Sequence, residues 1–149
     1  MKPFYFILFI LSLISWQICQ KNWTAEKHKG YTLLYTSSDS INKKVYSILI
    51  ANGIKAVNIF FQSSYKNEFD VFIHPSRQSL DSAWQKDWNM PTFKSECWMV
   101  ASGVGKKLDM LSPLLWDKQS CEHSYLETTK TQQLITHELF HVYHGQLNI

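Results

Sequence analysis

The pattern of apolar and polar positions in the first part of the chain predicts one strand and one long helix. Residues 30–36 are β-branched and aromatic and stop at a run of Ser and Asp, which predicts a strand followed by a helix cap. Apolar residues then recur three and four positions apart over 41–61, which predicts a helix capped by Asp39 or Ser40. Gly53 lies inside this pattern and is the expected weak point or break of the helix.

The rest of the chain predicts further strands and two more helices. Alternation over residues 68–74 predicts a strand, and large apolar residues at a spacing of four over 76–88 predict a short helix. Residues 97–105 are small and apolar with a glycine exit, typical of a strand, and residues 107–111 follow as a hairpin or irregular return. Residues 132–146 contain no Pro and no Gly until their last turn, which predicts a helix. The expected fold is α+β, a small mixed sheet packed on helices.

The first nineteen residues predict a signal peptide rather than part of the fold. A short basic start precedes residues 4–14, which are apolar almost without interruption and fall short of the roughly 20 residues that a spanning helix needs. Cys19 is the best small residue before a cut, so residues 20–149 are expected to form a single exported domain. The expected location is secreted or periplasmic. The alternatives for this segment are a membrane anchor that is not cleaved and a buried N-terminal helix.

Composition supports one globular domain and excludes several protein classes. The chain has 149 residues, 45% apolar and 18% charged, which is too apolar for a disordered segment. A net charge of +3 without repeats or charge blocks does not indicate a nucleic-acid-binding protein. Cys97 and Cys121 remain after cleavage and predict one disulfide in an oxidising compartment, with two free thiols as the alternative. Neither belongs to a CxxC pair, so a cysteine zinc site is not indicated.

The residues that carry chemistry form an H-E-x-x-H sequence in the last predicted helix. His137 and His141 are four positions apart, so their imidazoles lie on one helix face and can bind one cation. Glu138 is offset by one residue, which places its carboxylate beside a metal ion rather than on it. Zinc lowers the pKa of a bound water to about 7, so an adjacent carboxylate can act as a base at neutral pH. The pattern therefore predicts a zinc site with Glu138 as the general base.

Two observations indicate that this motif did not arise by chance from the composition of the chain. A shuffled chain of the same composition would contain the pattern about once in a hundred cases. The residues around the motif are apolar, which predicts a largely buried helix, and burying two imidazoles and a carboxylate without partners would be costly. A metal ion would remove that cost. The alternative is a helix with surface or hydrogen-bonded histidines.

Residues 136–141 resemble the active-site helix of the zincin superfamily of zinc metallopeptidases. The resemblance implies Zn²⁺ as cofactor, both histidines as metal ligands, Glu138 as general base and acid, and a peptide or protein as substrate. It also implies an edge strand, here over residues 97–104, that aligns the substrate backbone. The metzincin branch is excluded, because Leu147 stands where its third His is expected, six residues after His141.

Within the superfamily the chain is similar to the gluzincin branch, whose third ligand is a Glu on a second helix further along the sequence. The sequence ends eight residues after His141, before such a helix. The resemblance therefore implies that the chain is the N-terminal part of a gluzincin-like peptidase, truncated at its C-terminus. The third zinc ligand is then expected from downstream sequence.

Other side chains near the motif are candidates to complete or support the site. His144 lies on the same helix face, but three histidines at these offsets extend over about 10 Å of the helix axis, too far to converge on one ion. His144 is therefore expected to be a surface residue, and a role in supporting the site or facing the substrate is the alternative. Glu122, His123 and Glu127 precede the helix and could fold back to it. A water molecule or a partner chain are further ways to complete the coordination.

The sequence thus predicts an exported zinc metallopeptidase that binds no nucleic acid and has no membrane span after signal cleavage. The alternative is a secreted, non-catalytic metal-binding or structural domain. A third reading is a sugar-binding module that uses Trp84, Trp88 and Trp98, although Trp at helical spacing is more often part of a core.

Overall fold

The computed structural model describes residues 23–147, and its centre is a five-stranded mixed sheet. The sheet has the spatial order β1-β2-β3-β5-β4. Strands β2, β3 and β5 run parallel, while β1 and β4 are antiparallel strands at the two edges. The predicted signal peptide, residues 1–19, lies outside the described residues. The strands are β1 (Thr24–His28), β2 (Tyr31–Tyr35), β3 (Phe69–His74), β4 (Ala101–Val104) and β5 (Lys107–Leu111).

Four α-helices accompany the sheet in the described part of the chain, so the α+β class is confirmed. Two short 3₁₀ turns, Ser37–Asp39 and Pro113–Leu115, precede α1 and α3. The helices are α1 (Lys43–Phe61), α2 (Arg77–Asp87), α3 (Trp116–Gln119) and α4 (Thr128–Leu147).

Side chains alternate along each strand, so both faces of the sheet present side chains to a neighbouring element. Helices accordingly pack on both faces. On one face the Tyr31 hydroxyl donates to the carbonyl of Ser47 in α1. On the other face His74 of β3 forms a hydrogen bond with Ser79 of α2. The α1 and α4 face holds most of the apolar core, which includes the fully buried Leu33, Ile50, Val71, Ile73, Leu108, Met110, Ile135 and Leu139.

Helix α1 runs through Gly53 without a break, contrary to the expectation from sequence. Gly53 is buried where α1 crosses α4, and a Cβ atom at this position would lie 2.5 Å from Leu139 Cδ1. A side chain at position 53 would require the Leu139 side chain to move, and the packing of α1 on α4 outweighs the poor helix propensity of glycine.

The start of α1 also differs from the prediction, because neither Asp39 nor Ser40 caps it. The cap position is Asn42, which makes no capping hydrogen bond from its side chain. Asp39 is fully buried and accepts hydrogen bonds from the hydroxyls of Tyr46 and Ser112, at 2.9 and 2.6 Å. These two hydrogen bonds satisfy a buried carboxylate and join the beginning of α1 to the end of β5.

Strand β4 is shorter than predicted, since residues 97–100 do not form a strand. This segment is held instead by Arg77, the first residue of α2. Its guanidinium group donates hydrogen bonds to several backbone carbonyls. Backbone groups outside a sheet need partners, and the five donors of one Arg can serve several of them at once. The carbonyl groups bound by Arg77 belong to Glu96, Cys97, Met99 and Gln119.

Candidate metal centre

Helix α4 separates its buried side chains from its histidines. The buried residues recur at helical spacing and pack on the sheet and on α1. His137, His141 and His144 lie on the opposite, exposed face. Glu138 falls between these two faces, on the flank that packs against β4. The buried residues of α4 are Thr131, Ile135, Leu139, Val142, Tyr143 and Gln146.

The two imidazoles of the motif meet at their Nε2 atoms, which lie within hydrogen-bond distance of each other. Nε2 of His137 and Nε2 of His141 lie 3.0 Å apart, with the two rings nearly perpendicular. Two nitrogen ligands of one tetrahedral zinc, each at about 2.0–2.1 Å, would be roughly 3.3 Å apart. The pair therefore fits a zinc ion with a shift of a few tenths of an ångström. Imidazole nitrogen is also a preferred ligand of zinc, so the donor chemistry fits as well.

The carboxylate of Glu138 is fixed by the backbone of the edge strand. Its Oε2 accepts a hydrogen bond from the Gly103 N–H at 2.8 Å. Burial raises the pKa of Glu138, while the Gly103 N–H and the two neighbouring histidines partly oppose the increase. A half-buried carboxylate with a raised pKa, held beside two convergent imidazoles, is suited to accept and return a proton.

Gly103 is the residue that sequence reasoning missed. A Cβ atom at this position would overlap the main-chain carbonyl of Glu138 and touch Val142, so only glycine lets β4 and α4 approach this closely. A glycine inside a strand pattern is a signal of close backbone approach, and it is present here in residues 97–105.

A cleft of about 560 Å³ lies beside the start of β4 and ends at His137 and Glu138. One wall is the segment from Trp98 to Ala101, and the other is the exposed flank of α4. The loop before α4 closes one end, where the His123 ring donates from Nε2 to the carbonyl of Trp98 at 3.1 Å. The remaining lining residues include Glu122, Lys130, Gln133 and Leu134.

Of the other candidate ligands, Glu122 and His123 line the same cleft as His137, whereas His144 and Glu127 make contacts of their own. The ring of His144 packs edge-on against Phe140 and Phe61, with centroids 4.6 and 5.3 Å apart. Glu127 forms an ion pair with Lys130 at 2.7 Å. Within residues 23–147, no group of three His, Cys, Asp or Glu side chains is arranged to hold a metal ion. In the described part of the chain the convergent set is therefore the two histidines of the motif.

One premise of the sequence reasoning was wrong. The apolar surroundings predicted that the whole motif is buried, yet both imidazoles are exposed and only Glu138 is substantially buried. The apolar residues of α4 are divided between the sheet and α1, which leaves the histidine face uncovered. The case for a metal site thus depends on the convergence of the two nitrogen atoms and not on the cost of burying charge.

The loops around the cleft are joined covalently. Cys97 and Cys121 form a disulfide, with their Cα atoms 5.4 Å apart. This bond connects the wall that begins at Trp98 to the loop that carries His123. Arg77 binds the carbonyl of Cys97 itself and that of Gln119, two residues before Cys121, so both restraints act close to the disulfide.

His74 and the pair formed by Trp84 and Trp88 are part of the packed fold. His74 is buried and bonded to Ser79 on one side and to Asp109 on the other, at 2.9 and 2.8 Å. Trp84 is fully buried and stacked on Trp88, so this pair offers no open platform for a sugar ring.

No protein-family model matches this chain, and no curated protein or solved structure is significantly similar to it. Any functional conclusion must therefore come from the chemistry of the site itself.

Replacing Gly103 by Ala is expected to displace α4 from β4 and break the Glu138–Gly103 hydrogen bond. Overpacking of this kind costs roughly 1–3 kcal/mol, so we expect the free energy of unfolding in urea to fall by about that amount. The Glu138 carboxylate, released from its anchor, would also become more exposed. Ser102→Ala is the matched control, because the neighbouring side chain points to the other face of β4. Equal stability of the Gly103→Ala and Ser102→Ala variants would contradict the close packing described here.

Proposed function

We propose that this chain is an exported zinc-dependent metallopeptidase of the zincin type, gluzincin-like in its pattern. The observation that carries the proposal is the 3.0 Å separation of the His137 and His141 Nε2 atoms beside a carboxylate bound to a strand edge. Convergent imidazoles with a fixed neighbouring carboxylate support hydrolysis better than simple metal storage, which needs no base.

His137 and His141 would hold the Zn²⁺ ion through their Nε2 atoms. Zinc bound there supplies a Lewis acid that polarises a carbonyl group and makes water more acidic. Glu138 accepts one proton from the water whose oxygen attacks the scissile carbonyl carbon. It then delivers that proton to the amide nitrogen as the carbon–nitrogen bond breaks, which returns the carboxylate to its starting state. The hydrogen bond from Gly103 keeps Glu138 oriented through both transfers.

The edge of β4 at Ala101 would align a peptide substrate in the cleft. In an antiparallel pair, alternate residues direct both backbone groups to the same neighbour. Because the Gly103 N–H points to Glu138, Gly103 and Ala101 direct their backbone groups away from β5. Ala101 lines the cleft, so its N–H and C=O are available to pair with an extended chain beside the two catalytic groups.

Export is part of the same proposal. The Cys97–Cys121 disulfide borders the cleft, and disulfides persist in oxidising compartments. The apolar segment at residues 4–14 supplies the predicted signal, with a secreted or periplasmic protein as the product.

A second candidate function is a secreted, non-catalytic domain that binds metal or serves a structural role. It is favoured by the finding that, among the described residues, two and not three protein ligands converge. Catalytic zinc sites normally have three protein ligands and one open position. The two candidates differ in whether zinc-dependent hydrolysis of peptides accompanies zinc binding.

Substituting the two motif histidines tests the metal site directly. We expect His137→Ala and His141→Ala each to abolish stoichiometric zinc binding, because one imidazole alone holds the ion too weakly. The readout is zinc content by mass spectrometry together with a competitive zinc titration. His144→Ala is the matched control, since it removes an exposed His from the same face of α4, and it should keep its zinc. Zinc retained in full by the His137→Ala, His141→Ala double variant would refute the assignment.

Substituting the carboxylate tests catalysis separately from metal binding. We expect Glu138→Gln to keep zinc while kcat/KM for peptide hydrolysis falls by about 10²–10⁴-fold, the range that general acid–base catalysis supplies. Removal of zinc with EDTA should abolish hydrolysis in the wild type, and added zinc should restore it. Zinc binding by the wild type without hydrolysis of any peptide library would establish the non-catalytic alternative instead.

We also propose that the third zinc ligand comes from sequence downstream of Ile149. Sequencing the transcript and the genomic DNA past codon 149 is the direct test. We expect a continuing reading frame with a Glu on a predicted helix within a few dozen residues. A stop codon directly after Ile149 would contradict this proposal and favour a site completed by water or by a partner chain.

A further inference from the structure

Helix α1 carries a line of exposed aliphatic side chains on the side away from the core. At about 100° of rotation per residue, Val45, Ile48 and Ile59 fall within an arc of roughly 40–60°. Their relative exposures are 44%, 52% and 66%, and Ile41, two residues before the start of the helix, is 86% exposed. The buried residues of α1 lie on the opposite side, at Tyr46, Ile50, Gly53 and Val57. We call the exposed set, together with Phe60 at 69% exposure, the α1 apolar face.

The surroundings of the α1 apolar face are positively charged. The sequence has no acidic residue between Asp39 and Glu68, while this interval contains four lysines. Lys44 and Lys55 flank the apolar face on one side of the helix. Lys29, from the turn between β1 and β2, lies on the same side and lines grooves with each of them. The lysine ion pairs within residues 23–147 involve other lysines, at Lys27, Lys43, Lys107 and Lys130.

A groove of about 580 Å³ lies along this positive flank. Its floor is apolar, and Lys29 and Lys55 are among the residues that line it. An apolar groove with ammonium groups beside it matches a molecule that joins a negative headgroup to a hydrocarbon chain. The principal apolar residues of the groove are Ile54, Ile59, Tyr65 and Phe69.

We propose that the α1 apolar face is an interfacial membrane-binding surface whose partner is an anionic lipid bilayer. Aliphatic side chains would enter the boundary between headgroups and acyl chains, while Lys29, Lys44 and Lys55 contact phosphate groups. A second copy of this chain is disfavoured as the occupant, because a twofold contact would bring these lysines against their own copies. A partner that is both apolar and negative satisfies the apolar residues and the lysines together.

The packing of α1 sets its orientation in such a complex. With 19 residues and a mean hydropathy of 1.2, α1 is long and apolar enough to cross a membrane by length and composition alone. One side of α1, however, is packed against α4 and the sheet. The helix therefore lies along the bilayer surface and does not span it.

A local fluorescent probe tests this surface without interference from the apolar N-terminal segment. The full chain carries Cys19→Ser and Ile48→Cys, with an environment-sensitive dye on the new cysteine and the Cys97–Cys121 disulfide intact. With vesicles of phosphatidylcholine and phosphatidylglycerol, we expect a blue shift and a severalfold rise in emission, quenched by brominated acyl chains. The same dye at Ser82→Cys, an exposed position on α2, should not respond.

The lysines are tested by their effect on the affinity of the dye at position 48 for vesicles. Lysine contributes roughly a fivefold factor near an anionic surface, so Lys44→Gln with Lys55→Gln should weaken binding by about 10–25-fold. Lys86→Gln with Lys94→Gln removes the same charge from exposed positions elsewhere and should have little effect. Zinc is absent from both experiments, so their outcome is independent of the proposed peptidase activity.

Several outcomes would overturn the proposal. The first is that the emission of the dye at position 48 does not change when the chain binds anionic vesicles, which would show that another segment makes the contact. The second is that the dye responds to protein concentration without lipid, which would identify a second copy as the partner. A response to polyglutamate equal to the response to vesicles would identify an acidic protein partner instead.

Discussion

The close packing of α4 on β4 at Gly103 is the contact on which the candidate site depends. Because position 103 has no Cβ, the carbonyl of Glu138 can approach the strand, and the Glu138 carboxylate reaches the Gly103 N–H. The same contact places the cleft at the start of β4 beside His137 and Glu138. One pair of backbones in close approach therefore sets the position of the proposed base, the proposed metal ligands and the proposed substrate-binding edge together. A site built on a helix and a strand is also more rigid than one built on loops.

The local sequence pattern predicts some features of the fold and of the candidate site, whereas others depend on tertiary packing. His137, Glu138 and His141 could be predicted because helical spacing alone places two imidazoles on one face. The anchor of Glu138 could not, since Gly103 is 35 residues away and only tertiary packing brings them together. The same limit applies to Gly53, whose local propensity predicts a break that packing against Leu139 overrides. The polar sequence of β1 carries little strand signal, because this edge strand buries few side chains.

Helix α4 joins the candidate metal centre to the α1 apolar face. Phe60 of that face contacts Phe140, which lies in the turn between the two motif histidines, with ring centroids 5.3 Å apart. Asn52 of α1 also bonds Gln132 of α4 at 3.4 Å. If α1 rests on a bilayer, the histidine side of α4 is held close to the lipid headgroups. The peptides most accessible to the cleft would then be those at the membrane surface.

The disulfide at the cleft has a consequence for when such a site would be assembled. Cys97 and Cys121 join the wall that starts at Trp98 to the loop that carries His123. In the reducing environment where a chain is synthesised, these two segments lack their covalent connection. If the chain is exported as proposed, the two walls of the cleft are therefore joined covalently only after it has left that environment.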